Sequence, residues 1–186
     1  MHFDRQQFVA DCLAANREQD AQGAVREVLQ RAVANHGDVL RVLGEPIQAG
    51  LDVLHQSPEL TVFAAKWAPR MALVPHDHRM WALIGLYAGR EDNILWRREG
   101  GAIRAYRADV LLAGDVAALE REAIHSVTNP LDRFTGGIHI YGGDFFAAHR
   151  SQWNPETLAE EDSDGARIRA MFERENARLR CLQPDR

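Results

Sequence analysis

Between Leu60 and Phe146 the chain breaks every few residues at a turn signal, and this constrains its fold more than any other feature. The apolar runs are Thr61–Trp67, Ala72–His76, Met80–Tyr87, Asn93–Arg98, Ile103–Arg107, Ala117–Leu119, Ala123–Val127 and Gly137–Tyr141, with Phe145–Ala147 as a further short one. Ala68-Pro69, Gly89 to Asp92, Gly100-Gly101, Gly114-Asp115, Asn129-Pro130 and Gly142-Gly143 punctuate them. Many short strands at regular spacing predict antiparallel pairing in a sandwich or barrel. The expectation is a mainly β protein built on a single jelly-roll barrel.

The flanks read differently. Asp4 followed by Gln7 resembles a capping box at a helix start. Val25, Val28, Leu29, Ala32 and Val33 then form one helical stripe, which stops at Asn35, His36 and Gly37. At the other end an acidic run (Glu160, Glu161, Asp162, Asp164) precedes a stripe of Ile168, Met171, Phe172, Leu179 and Leu182. Acid before and arginine after such a helix complements its dipole. The expected organisation is an N-terminal helical extension over 1–59, the barrel over 60–150 and a C-terminal helical segment over 151–186.

Composition excludes several classes. A chain of 186 residues, 46% hydrophobic and 26% charged, is an ordinary globular domain with enough length to bury a core. No apolar run approaches the roughly 18 residues of a membrane helix, so no membrane partner is expected. The net charge is −5 and the isoelectric point near 5.9, which argues against nucleic acid as a partner. Cys12 and Cys181 stand alone at opposite ends, so no sulfur-rich metal or redox site is expected. The amino end shows no signal pattern, and a cytoplasmic location is the expectation.

Four of the eight histidines fall in the β region. His76 and His78 flank Asp77, and residues i and i+2 of a strand share a face, so both imidazoles can meet one metal ion. A third, His125, sits on a later strand and would complete a triangular face. His139 and Tyr141 share a face of one further strand, with Gly137 beside them. The same parity puts Trp67, Met80 and Val127 on the walls of a largely apolar pocket as substrate-binding residues. Asp77 and Arg79 are expected to point outward, and Arg90 to Asn93 to form a polar hairpin turn.

These residues resemble the cupin motifs. His76, His78 and Gly89 match the first motif, and Gly114, His125 and Asn129 match the second. Arg70 replaces the leading glycine, Glu120 and Glu122 replace the proline and glycine of the second motif, and Ala82 and Leu83 stand where the motif acid belongs. Without that acid, three neutral imidazoles leave a divalent ion its full charge and favour an anionic, chelating substrate. Facial ligation of this kind is associated with non-haem iron oxygenases.

His76-Asp77-His78, the missing acid and the run Gly137 to Tyr141 further resemble the cysteine dioxygenase family of thiol dioxygenases. That family carries a Ser-x-His-x-Tyr strand. His139 and Tyr141 match it, and Gly137 stands for the serine. The family's substrate-carboxylate arginine has no counterpart among Gly50, Leu51, Asp52 and His55, and Leu83 takes the place of its crosslinking cysteine. The segments Pro75–Ala82, Gly89–Asn93, Ile124–Pro130 and Ile138–Phe146 are most similar to an uncharacterised bacterial family of double-stranded β-helix proteins described as metal-dependent enzymes.

The resemblance implies a mononuclear Fe(II) dioxygenase that uses dioxygen to convert a small organic thiol to a sulfinate. Tyr141 and His139 would be the catalytic pair. Three alternatives carry over: cleavage of a carbon–carbon bond in a β-diketone, non-redox chemistry on zinc or nickel, and ligand sensing without turnover. Cupins often pair through edge strands, which makes a homodimer an option.

Overall fold

The computed structural model describes residues 2–182. Three helices come first, α1 (Arg5–Ala15), α2 (Ala21–Ala34) and α3 (His36–Leu43). Strands β1 (Gly50–Gln56), β2 (Thr61–Trp67), β3 (Ala72–Asp77), β4 (Ala82–Ala88), β5 (Arg90–Glu99), β6 (Ala102–Leu112), β7 (Val116–Leu119), β8 (Ile124–Thr128) and β9 (Thr135–Tyr141) follow. The short strands β10 (Ser151–Trp153) and β11 (Glu160–Asp162) precede the last helix, α4 (Gly165–Leu182). No helix among the described residues is long and apolar enough to cross a membrane.

The strands form two antiparallel sheets, ordered β1-β2-β9-β4-β7 and β11-β10-β3-β8-β5-β6. Taking β2 to β9 as the eight core strands, the sheets read first-eighth-third-sixth and second-seventh-fourth-fifth, the interleaving of a double-stranded β-helix or jelly roll. No ladder joins the two sheets among the described residues, so the expected barrel is an open sandwich. The helical flanks also contribute strands: β1 lies within 1–59, and β10 and β11 within 151–186.

Burial explains the sequence pattern. The first sheet is covered on both faces, by α1, α2 and α3 outside and by the second sheet inside. Its strands β2, β4 and β9 are accordingly buried almost end to end and read as continuous apolar runs. Val25, Val28, Leu29 and Val33 of α2 pack against Leu83, Tyr87 and Ile138. Leu29 sits directly on Gly85, where a Cβ would fall 2.8 Å from its Cγ. Gly89 makes the crossing from β4 to β5 at φ 77°, and a Cβ there would lie 2.3 Å from Thr135 Oγ1.

Several local expectations are corrected. Asp4 caps α1 by accepting from Gln7 N at 2.7 Å, but the Gln7 side chain turns to Asp11 and leaves the box half-closed. Only Gly89 is turn; Arg90, Glu91, Asp92 and Asn93 belong to β5. Phe145–Ala147 is no strand, because Thr61 Oγ1 and Asp144 Oδ1 take its amide N–H groups. Of the acidic run Asp164 caps α4, accepting from Ala166 N at 2.8 Å, and Glu161 accepts from Arg167 of that helix at 3.3 Å.

Glu160 instead receives Arg98 at 2.7 Å, with Arg79 at 3.6 Å, and so ties β11 to the rest of its sheet. The Arg98 hydrogen bonds, then that of Ser151, hold the Glu160 carboxyl down at about 2. A depressed folded-state value stabilises above the unfolded value of 4.5 and is lost as pH falls toward 2. Because the pair is half-exposed, we expect Glu160→Gln to cost about 1 kcal/mol or less near neutral pH. In urea titrations the gap between variant and wild type should narrow steadily below about pH 4.5.

Candidate metal centre

His76 and His125 are paired across the β3–β8 ladder, so their Cα atoms face each other. Pro75 has no N–H to contribute and falls where the register slips between Leu73 and His76. His78 lies just beyond β3. The next residue, Arg79, adopts φ 58°, an uncommon conformation for a side chain of its size. Asp77 at 2.6 Å and Ser151 Oγ at 3.0 Å hold its guanidinium in place. Asp77 and Arg79 thus pair with each other away from the cavity, although Asp77 is itself buried beneath β10.

The three imidazoles converge. His78 Nε2 lies 3.2 Å from His76 Nε2 and 3.3 Å from His125 Nε2. Their outer nitrogens decide what the inner ones carry. His76 Nδ1 donates to the Val74 carbonyl at 2.9 Å, and His125 Nδ1 donates to Asn93 Oδ1 at 2.7 Å. Both inner nitrogens are therefore lone pairs, and the one proton His78 could carry on Nε2 would satisfy only one of them. Nitrogens bound at 2.0–2.1 Å to one ion, at tetrahedral or octahedral angles, sit about 2.9–3.4 Å apart. The donor set and spacing fit a divalent ion.

Electrostatics agree. Burial is the largest cause that lowers His76, to about 4, while the Val74 carbonyl opposes it and Arg150 reinforces it. Burial and neighbouring imidazoles push His78 and His125 well below the ordinary histidine value. All three are neutral near pH 7 and present lone pairs.

His139 and Tyr141 lie alongside on β9, with His139 Nδ1 3.2 Å from the Tyr141 hydroxyl. Burial drives His139 down to about 3 and the Tyr141 phenol well above its usual value, so both are uncharged. The Tyr141 ring stands 4.9 Å from that of His78. A small cavity of about 40 Å³ runs from the histidines between Trp67, Val127, Phe145, Ile168 and Phe172. Trp67 and Val127 are thus where strand parity places them, and Met80 is not. The left-handed turn at Arg79 ends the alternation, and Met80 packs near Gly143 instead.

Two features escape the sequence reading. Glu91 and Asn93, which read as turn residues, point inward from β5. Trp67 Nε1 donates to Glu91 Oε2 at 2.7 Å and Asn93 Nδ2 donates to Glu91 Oε1 at 2.9 Å. Burial raises this carboxyl to about 7. The alternation of buried and exposed positions along β5 would have signalled both residues once the turn was confined to Gly89. The second feature is Arg150, in the loop before β10, which lines the same cavity. It is 7% exposed, stacks 3.9 Å over Phe145, and has no ion-pair partner among the described residues. Nothing local in the sequence marks it.

No protein-family model matches the chain. Among solved structures, it is similar to an uncharacterised conserved protein with a double-stranded β-helix domain from Klebsiella pneumoniae, at 15% identity, TM-score 0.45, over 63% of this chain and 84% of that one. A protein from Bacillus halodurans matches at 14% identity and TM-score 0.47, over 52% and 71% of the two chains. An RmlC-like cupin family protein from Methanocaldococcus jannaschii matches at 7% identity and TM-score 0.43, over 52% and 82%.

Removing one imidazole should abolish the site and spare the sandwich. His125→Ala is expected to weaken metal binding at least tenfold, measured as metal content after purification. Its far-ultraviolet circular dichroism should stay that of the wild type. Wild-type metal content in the variant would refute the triad.

Proposed function

We propose that the protein is a mononuclear non-haem iron(II) dioxygenase that converts a small thiol bearing a carboxylate to its sulfinate. Arg150 carries this reading: a buried guanidinium with no ion-pair partner among the described residues, in the cavity that His76 and His125 also line. A divalent ion and Arg150 together bring more positive charge to the cavity than the buried Asp77, which acts on Arg150 without pairing with it, offsets, and burying unpaired charge is costly. A ligand with two anionic ends would neutralise both. Guanidinium accepts a carboxylate through two parallel hydrogen bonds, which also fixes the ligand's orientation.

His76, His78 and His125 would hold the metal. When bound, it supplies Lewis acidity that keeps the substrate sulfur as thiolate, and redox chemistry that engages dioxygen. The reaction balances without another reductant, because a thiol plus dioxygen has the composition of a sulfinic acid. Tyr141, kept protonated by burial and placed by His139, offers a hydrogen bond to the polar end of a ligand in the cavity. Phe63, Trp67 and Phe172 wall the cavity with aromatic surface. The same walls would suit the enolate of a β-diketone, but that substrate would leave Arg150 without a counter-ion.

Metal analysis coupled to oxygen uptake tests the reading. We expect iron, and uptake with mercaptocarboxylic acids that yields sulfinate. Uptake with β-diketones alone would replace this reading with carbon–carbon cleavage, and zinc without uptake would leave only the metal site. Arg150→Met should raise KM about 10–100-fold for a mercaptoacid, the loss expected for a charge-assisted hydrogen-bonded pair. The matching mercaptoalcohol should respond little. Tyr141→Phe should keep its metal and lower kcat by about 10-fold or more; unchanged kcat would reduce Tyr141 to packing.

A further inference from the structure

The metal reading leaves open what keeps His125 in the tautomer that can bind an ion. A histidine with a free choice carries its proton on either nitrogen, and only Nδ1–H leaves Nε2 available here. Asn93 meets Nδ1 at 2.7 Å, yet an amide can present either its oxygen or its NH₂ group. Presenting NH₂ would force the proton of His125 onto Nε2 and disable it as a ligand. Something must therefore fix Asn93.

Glu91 supplies that constraint. Its Oε1 lies 2.9 Å from the far side of the Asn93 amide, and once Glu91 is ionised, above the value of about 7 to which burial raises it, that oxygen accepts only. Asn93 must then turn Nδ2 to Glu91 and Oδ1 to His125. Trp67 Nε1, which can only donate, occupies Glu91 Oε2 at 2.7 Å. The remaining polar neighbour, His139 Nε2, is 3.8 Å away and outside hydrogen-bonding range. Glu91 is fully buried, so no solvent competes at either oxygen.

We propose that Glu91 is a positioning residue of the metal centre: clamped by Trp67, it orients the Asn93 amide and thereby sets His125 in its metal-binding tautomer. This rests on the three-histidine metal reading and is independent of substrate. The chain of contacts crosses the sandwich, from β2 through β5 to β8, so the tautomer of one ligand is tied to the packing of both sheets.

The donor pattern gives a sharp test. Glu91→Gln keeps the shape but brings one NH₂ group against either Trp67 Nε1 or Asn93 Nδ2, each of them a donor. Turning the Asn93 amide relieves the second clash and moves the His125 proton to Nε2. In the metal-free protein at a pH above about 8, where Glu91 is ionised, nitrogen-15 NMR of the imidazoles should show His125 as Nδ1–H in the wild type and Nε2–H in Glu91→Gln. Zinc affinity, read by competition with a chromophoric chelator, should fall about 10–100-fold, as for other residues that orient a ligand. Adding Trp67→Phe should restore both readouts, because the new amide can then turn its NH₂ to the vacated side and its oxygen to Asn93.

A wild-type His125 protonated on Nε2 overturns the proposal without any variant. So does Glu91→Gln with wild-type zinc affinity, or a double variant that recovers neither readout. A wild type that binds no zinc would sink the metal reading, while the tautomer measurement would still judge Glu91 by itself.

Discussion

His76 and His125 each turn a lone pair toward His78, at 3.2 and 3.3 Å. Because His78 can satisfy only one of them, at least one pair of lone pairs repels in a dry interior, and the centre of this sandwich is built around that conflict. His76 and His125 direct their N–H groups outward, donating to the Val74 carbonyl and Asn93 Oδ1, so His78 can satisfy at most one of the inward lone pairs. A cation between the three nitrogens would turn the repulsion into ligation. Much else in the molecule serves to hold the conflict in place. Pro75 sits at the slip in β3 that lets His76 face His125, and Arg79 holds a left-handed turn beside His78 through Asp77 and Ser151. Buried polar groups are tolerated only when such partners are fixed.

The same constraint explains where the polar residues of the interior lie. Glu91, Asn93, His139 and Asn129 are all buried, and hydrogen bonds reach Glu91, Asn93 and Asn129 from other strands or loops. Asn129 donates to the carbonyls of Ala68 and Arg133, closing the loops that bracket β2 and β9. Glu91 joins the sheets through Trp67, whose ring in turn stacks on Phe172 of α4 at 5.7 Å. Asn176, one turn further along α4, exchanges two hydrogen bonds with the backbone of Ala49. The helix that closes the cavity is therefore secured to the segment leading into β1, and the mouth of the site depends on both ends of the chain.

Legibility followed burial geometry. Strands β2, β4 and β9 could be read because covering both faces of a sheet leaves continuous apolar runs, and the histidine pair could be read because two side chains one residue apart converge almost regardless of local detail. His78 lies past the end of its strand and still meets its partners, whereas Met80, two residues further, does not, because the Arg79 turn ends the alternation. The edge strands were illegible for a different reason. Three-residue β10 and β11 exist through partners remote in sequence, such as Arg98 for Glu160. Glu91 and Asn93 were concealed by their own polarity, since a charged residue after a glycine ordinarily means a turn. Local pattern reports exposure well and reports a satisfied buried polar group poorly.

Arg150 takes this furthest, because its role depends on what is missing beside it. Many surface arginines pair with carboxylates, as Arg70 does with Asp132 and Arg90 with Asp92. Arg150 has an aromatic face instead, and burial is the largest influence that lowers its pKa. A cation–π contact offsets part of the desolvation of a guanidinium but leaves its N–H groups unsatisfied, and Arg150 Nε has no partner among the described residues. A fold that needed only stability would gain by replacing such a residue with an apolar one. Its presence in the cavity lined by His76 and His125 is what the proposed function uses, as the partner for the second negative charge of a ligand. On the proposed function the cavity would be polarised by charge balance, with the sulfur of the ligand toward the histidines and its carboxylate toward the planar fork of Arg150.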